Sequence, residues 1–307
     1  MAKVSVIGAG NVGASAALFL AQRDVADIVM VDIVDGLPAG KALDMVQGAP
    51  VQSFSVSITG TTNDYAPVAG SDVVIVTSGL PRKPGMTRED LNKTNAGIVK
   101  SVTESVVAQA PDCVLLMLTN PLDLMTYQAY KVSGFPSNRV LGQSGVLDSA
   151  RFSYFVAEAL GISPADVTAM VLGGHGDTMV PVPQYTTVSG IPVTQLLPKE
   201  KIDEIAQRTR DGGAEIVNLM GVSGFYAAGA SLAKMAEAIV RDQKRILPAS
   251  ALVQGQYGLD DLYIGVPIKL GAGGVEEIFE IELDEEAQAE LNKSASFYKE
   301  QLQVLGY

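Results

Sequence analysis

Cysteine and histidine are nearly absent from this sequence. Its 307 residues hold one of each, Cys113 and His175. A single cysteine excludes a disulfide framework and any multi-cysteine metal site. Its setting in "DCVLLML" reads as the plain core of a buried strand. No HExxH pattern accompanies the lone histidine, so no metal is expected. Basic residues are also scarce: 22 Lys and Arg stand against 34 Asp and Glu, a formal net charge of −12. That field opposes nucleic acid and anionic membrane as partners. An anionic small substrate would need cations gathered locally. No apolar run approaches the length of a membrane span. No tandem repeat or low-complexity linker is visible, and with a first strand expected almost at once, no presequence is expected. These absences predict a soluble, cytoplasmic protein.

What the sequence does have is apolar residues in short, ordered runs, 47% of the chain. The length suits two domains. In the first half, "KVSVI", "DIVMVD", "GSDVVIVTSG", "DCVLLMLTNP" and "RVLGQSG" read as strands separated by helices such as "GASAALFLAQRD". Such runs predict a mostly parallel sheet covered on both faces. The texture changes near Gly145. A helix is expected over Asp148 to Leu160, then strand-like "DVTAMVLG" and "MVPVPQYTTV". A long charged and apolar helix follows Pro198, and a mostly buried one lies in "GFYAAGASLAKMAEAIVRD". Late strands and a final helix from Asp284 complete the chain. The expected fold is α/β: an N-terminal doubly wound, Rossmann-like domain over 1–145 and a C-terminal α+β substrate domain over 146–307.

The strongest local motif is "VSVIGAGNVGASAALFLA". Gly8, Gly10 and Gly13 have GxGxxG spacing between a strand and a helix. The first permits a tight turn, the second lets a pyrophosphate reach the backbone, and the third lets helix pack on strand. The helix N-terminus offers amides to phosphates. Asp32, ending "DIVMVD", can accept hydrogen bonds from the adenosine ribose and would repel the 2′-phosphate of NADP. NAD is therefore the expected cofactor.

Three cations, Arg82, Lys83 and Arg88, crowd one loop of an acidic chain, among glycines and prolines that resist regular structure. A lid over a site would fit them; a solvated basic loop is the alternative. Asn120 precedes Pro121 at a strand end and could orient a nicotinamide or a hydroxyl, or serve only a turn. Asp148 and Arg151 are three apart on a helix and share a face. They could enter one pocket or form a local ion pair. His175 stands in "GGHGD", where Gly173, Gly174 and Gly176 keep the surroundings narrow. Alone it could be an ordinary buried or surface histidine.

Taken together, "GAGNVG", "GLPRKPGMTRED", "TNPLD", "GVLDSARF" and "GGHGDTMVP" resemble the lactate/malate dehydrogenase family, in its order and over nearly the whole chain. The resemblance implies reversible NAD-dependent hydride transfer between (S)-malate and oxaloacetate, a step of the tricarboxylic acid cycle. It implies that His175 exchanges the proton, that Asp148 holds the other ring nitrogen, and that Arg151 binds the substrate carboxylate. Arg88 would close over the site and polarise the carbonyl. Arg82 would bind the distal carboxylate, Asn120 the substrate oxygen and nicotinamide region, and Ser223 would line the substrate pocket. Asn11, Val12 and Asn95 join Gly8, Gly10, Gly13, Asp32 and Asn120 as implied cofactor contacts. Arg82 favours a dicarboxylate, because a neutral residue there could not offset the desolvation of a second carboxylate. The resemblance also implies a homo-oligomer, a tetramer favoured over a dimer. The alternatives are a lactate or other 2-hydroxyacid dehydrogenase, a related-fold NAD-dependent glycosidase, and a non-catalytic NAD-binding protein.

Overall fold

A computed structural model of the chain describes residues 2–81 and 87–307, with Arg88 in its backbone only. The first half runs β1 (Lys3–Ile7), α1 (Asn11–Ala21), β2 (Asp27–Asp32), α2 (Leu37–Gln47), α3 (Ala49–Gln52), β3 (Ile58–Thr62), β4 (Val73–Val76), α4 (Arg88–Gln109), β5 (Val114–Met117), α5 (Leu122–Ser133) and β6 (Val140–Gly142). Then follow α6 (Gly145–Leu160), β7 (Val167–Thr168), β8 (Val171–Gly173), β9 (Met179–Pro181), β10 (Thr187–Val188), β11 (Ile191–Pro192) and α7 (Val193–Leu196). The chain closes with α8 (Lys199–Met220), α9 (Tyr226–Val240), β12 (Arg245–Gln254), β13 (Asp260–Gly271), β14 (Gly274–Ile278) and α10 (Glu285–Leu305).

The first six strands lie in the order β3-β2-β1-β4-β5-β6, and all five pairings are parallel. This is the doubly wound order, which reverses direction between β1 and β4 and opens a crevice at the strand ends there. β4 and β5 are buried at every position, as strands covered on both faces must be. Cys113 is buried at the start of β5, and burial pushes its thiol up to about 12; it is core.

The antiparallel strands of the second half continue the same sheet. β6 pairs β12 through Gly142 and Ser250, and β12, β13, β8 and β9 follow. Hydrogen bonding therefore crosses the division near residue 145 that the sequence suggests. A second sheet, β11-β10-β7, stands apart. The strand expected in "DVTAMVLG" is split between the two sheets as β7 and β8. A smaller core of Phe152, Val156, Val171, Met179, Ile202 and Ile205 joins α6 to α8.

Two elements have no clear sequence signal. β3, "ITGTT", lacks an apolar run, and α2 carries Pro38 and Gly40. Tertiary contact selects both. A β-carbon on Gly60 of β3 would lie 2.2 Å from the carbonyl of Pro38, so only glycine lets α2 settle there.

Candidate active site

The glycine fingerprint lies where β1 and β4 diverge. Gly8 has φ +106°, and a β-carbon on it would meet Oγ1 of Thr77 at 2.6 Å, just beyond β4. One on Gly13 would come within 1.9 Å of the Gly8 carbonyl. Gly10 has nothing within 4 Å of that position, so its backbone is open to an incoming group. It caps α1 without a side-chain hydrogen bond, and no acid stands in the first turn of that helix. The amides of Asn11 and Val12 thus begin a helix whose positive end meets no carboxylate of its own first turn, a cradle that fits a pyrophosphate. Asp32 ends β2 and accepts from the amides of Ala9 at 2.6 Å and Val34 at 3.0 Å. Those bonds hold its carboxylate beside the cradle, where a ribose would lie.

The histidine sits in the turn after β8. Gly173 and Gly176 have φ of +77° and +107°, a region open to glycine without strain. Gly174 is required for another reason: its missing β-carbon makes room for the ring of Tyr298. The imidazole Nδ1 lies 2.9 Å from Oδ2 of Asp148. The amide of His175 donates to Oδ2 of Asp123 at 2.8 Å, and its carbonyl accepts from the Tyr298 hydroxyl at 3.0 Å. Three helices, α5, α6 and α10, therefore grip one residue. Among the described residues, Nε2 is the polar atom of His175 left without a partner.

Burial pulls the His175 pKa down, but the charge and hydrogen bond of Asp148 outweigh it and the net shift is upward; Asp123 adds to the rise and Arg151 opposes it. Asp148 is 1% exposed and shares its other oxygen with Arg151 at 3.3 Å. The helical spacing thus brings acid and arginine together, and the acid serves the histidine as well. The Arg151 side chain passes beside Gly212 of α8. Its Nε is buried and has no partner among the described residues.

Asn120, His175, Leu91, Thr178, Phe297 and Tyr298 help line a cavity of about 410 Å³. A larger cavity, about 520 Å³, lies between α8 and α10 and excludes His175; there Arg210 is paired with Glu290. The smaller one contains the paired histidine and Asn120, while Asp148 and Arg151 are not among its lining residues. No group of three or more His, Cys, Asp or Glu that could hold a metal occurs among the described residues.

The remaining site expectations divide. Arg82 and Lys83 lie outside the described residues. Arg88 opens α4, and its side chain also lies outside them. Asn95 is 1% exposed. Its amide accepts from Leu80 N and donates to the carbonyls of Leu80 and Asn120. With both ends of its amide bonded to backbone, Asn95 braces the two loops and can serve a cofactor through them. Ser223 is exposed on the link between α8 and α9, and no hydrogen bond among the described residues joins it to His175, Asp148 or Arg151.

Asp123 is a residue of the histidine turn's support that the sequence alone did not single out. It is 1% exposed, accepts from Ser250 at 2.6 Å as well as from His175, and burial raises its pKa despite those bonds. An acid inside the apolar stretch "LLMLTNPLDLMTY" was the available signal, since buried acids require partners.

A nucleotide cradle and a histidine equipped to exchange protons, carried by one sheet, meet the needs of hydride transfer, and the chain is an NAD-dependent dehydrogenase. Residues 2–142 match the model for the lactate/malate dehydrogenase NAD binding domain, and 145–305 that for the family's alpha/beta C-terminal domain. The chain belongs to the lactate/malate dehydrogenase family. It is 58% identical to a malate dehydrogenase of Thermomicrobium roseum over 303 residues, 99% of this chain and 98% of that protein. The solved malate dehydrogenase of Salinibacter ruber matches at TM-score 0.95 and 55% identity, covering 99% of this chain and 97% of that one. The lactate dehydrogenase of Cryptosporidium parvum, solved with lactic acid and nicotinamide adenine dinucleotide, matches at TM-score 0.95 and 39% identity, with 99% and 98% covered. Equal fold similarity to both enzymes means that backbone architecture alone does not choose the substrate.

Proposed function

We propose that this chain is a malate dehydrogenase, interconverting (S)-malate and oxaloacetate with NAD. The observation that carries the chemistry is the Asp148–His175 pair beside Arg151. The substrate assignment draws on the relatives that are malate dehydrogenases and on Arg82 in the sequence.

NAD, when bound, would supply the hydride chemistry in both directions. Gly10, Asn11 and Val12 would hold the pyrophosphate and Asp32 the ribose. As negative charge grows on the keto oxygen, His175 delivers a proton from Nε2. Asp148 stabilises the protonated ring through Nδ1. Arg151 holds the carboxylate next to the reacting carbon by a forked pair of hydrogen bonds. Asn120 would orient the oxygen and Ser223 would line the pocket. Arg82 would pair with the distal carboxylate, and Arg88 would polarise the carbonyl. In oxidation the same atoms work in reverse, with neutral His175 accepting the proton of the hydroxyl.

The test is NADH oxidation with oxaloacetate and with pyruvate in parallel. Strong preference for oxaloacetate is expected. Preference for pyruvate would keep the mechanism and overturn the substrate.

We further infer a homotetramer, favoured over a dimer, acting in the cytoplasm in the tricarboxylic acid cycle. Support for assembly comes from exposed apolar side chains, including Val51 and Leu219, each 81% exposed, with Met220, Val222 and Tyr226 nearby in sequence; such surface is unusual on a monomer where it is contiguous. No helix among the described residues is long and apolar enough to cross a membrane. Light scattering that found only monomer would overturn the assembly.

A further inference from the structure

Both main-chain polar groups of Ala9, the middle residue of "GAG", are bound by opposite charges. Its amide donates to Asp32 Oδ2 at 2.6 Å, and its carbonyl accepts from Lys41 Nζ at 2.8 Å. Ala9 itself is fully buried. We propose that Lys41 is a positioning residue of the dinucleotide site, which aims the Gly10 amide at the cofactor's pyrophosphate by holding the Ala9 carbonyl. The inference rests on NAD being the cofactor.

In a trans peptide the C=O and the following N–H point in opposite directions and cannot turn independently. The Ala9 carbonyl and the Gly10 amide share such a plane, so fixing one aims the other. Gly10 is the position with open space around it, where a pyrophosphate can approach. Glycine neighbours leave this turn with few internal restraints. The two charged clamps supply them from outside, Asp32 from the end of β2 and Lys41 from α2.

The reach of Lys41 depends on β3. Gly60 lets the first turn of α2 lie against that strand, since any β-carbon would overlap Pro38. α2 is thereby drawn in far enough for a half-buried lysine to cross 32 residues of sequence and meet Ala9. A lysine serving only solubility would not make a 2.8 Å bond to a buried carbonyl.

The test compares the wild type, Lys41→Met and Lys41→Arg by NADH fluorescence titration and by competition with ADP-ribose. Methionine keeps the length of the side chain and removes the donor. The expected result is an NADH Kd raised about tenfold, or about 1.4 kcal/mol, with the same factor for ADP-ribose. KM for NADH should rise by more than kcat falls, and arginine should restore most of the affinity. Unchanged Kd values in Lys41→Met would overturn the inference. So would a loss shared in full by Lys41→Arg with a lowered melting midpoint in the absence of ligand, which marks a general structural role. Failure of the wild type to bind NADH would instead overturn the cofactor assignment.

Discussion

Gly174 and Tyr298 occupy one space: a β-carbon on the glycine would lie 1.8 Å from Cε2 of the tyrosine ring. The tyrosine then reaches the carbonyl of His175 with its hydroxyl. Absence of a side chain at one residue thus allows α10 to hold the next. Gly174→Ala should cost about 1–3 kcal/mol by overpacking and lower kcat by displacing the ring. Thermal unfolding together with turnover checks this; a variant with wild-type stability would show that the turn yields freely. Tyr298→Phe, which keeps the ring and loses the hydrogen bond, should cost about 1 kcal/mol.

His175→Asn should retain NADH binding and lose most turnover, because an amide cannot exchange the proton. General acid–base catalysis contributes roughly 10²–10⁴-fold, and a loss of that order is expected. Fluorescence titration and steady-state turnover separate the two effects. Nearly normal turnover would remove His175 from the mechanism.

The Asp148–His175 pair sets the pH dependence. Burial lowers the imidazole pKa, Asp148 more than reverses this, and the net value lies above the ordinary one. Oxaloacetate reduction needs the protonated ring, so its kcat/KM should persist past the ordinary imidazole pKa and fall as pH rises through the raised one. Malate oxidation should gain over the same window. The stability linked to this proton is fully present below the ordinary value and is lost as pH rises through the raised one. In Asp148→Asn the charge is gone and burial prevails, so the reduction limb should move to lower pH. Profiles of kcat/KM in both directions test this, and an unmoved limb would rule out Asp148 as its cause.

Arg82→Gln should sharply reduce oxaloacetate turnover and shift preference toward pyruvate, since a buried carboxylate without a cation is penalised by desolvation. The ratio of kcat/KM values for the two keto acids is the measurement. An unchanged ratio would move the specificity elsewhere in the pocket.

Asp123→Ala should leave the His175 amide and Ser250 without their acceptor. An unsatisfied buried donor costs about 1–3 kcal/mol, so the melting midpoint should fall and turnover should fall with it as the histidine turn loosens. A fall in turnover no greater than that of an unrelated variant of equal stability would reduce Asp123 to a role in folding.

The sequence by itself determined those features whose causes are local. Hydrophobic runs marked β1, β2, β4 and β5, glycine spacing marked the cradle, and a three-residue interval placed Asp148 and Arg151 on one face of α6. Only the tertiary structure decided how His175 is held. Its amide finds Asp123 across 52 residues, and its carbonyl finds Tyr298 across 123. The same holds for Asn95, whose amide braces two loops, for Lys41, which reaches Ala9 from another βα unit, and for β3 and α2, whose fit rests on Gly60. Periodicity and turn chemistry act over a few neighbours and can be read along the chain. A buried hydrogen bond between distant residues depends on which backbones meet, and that is settled when the sheet and its covering helices pack.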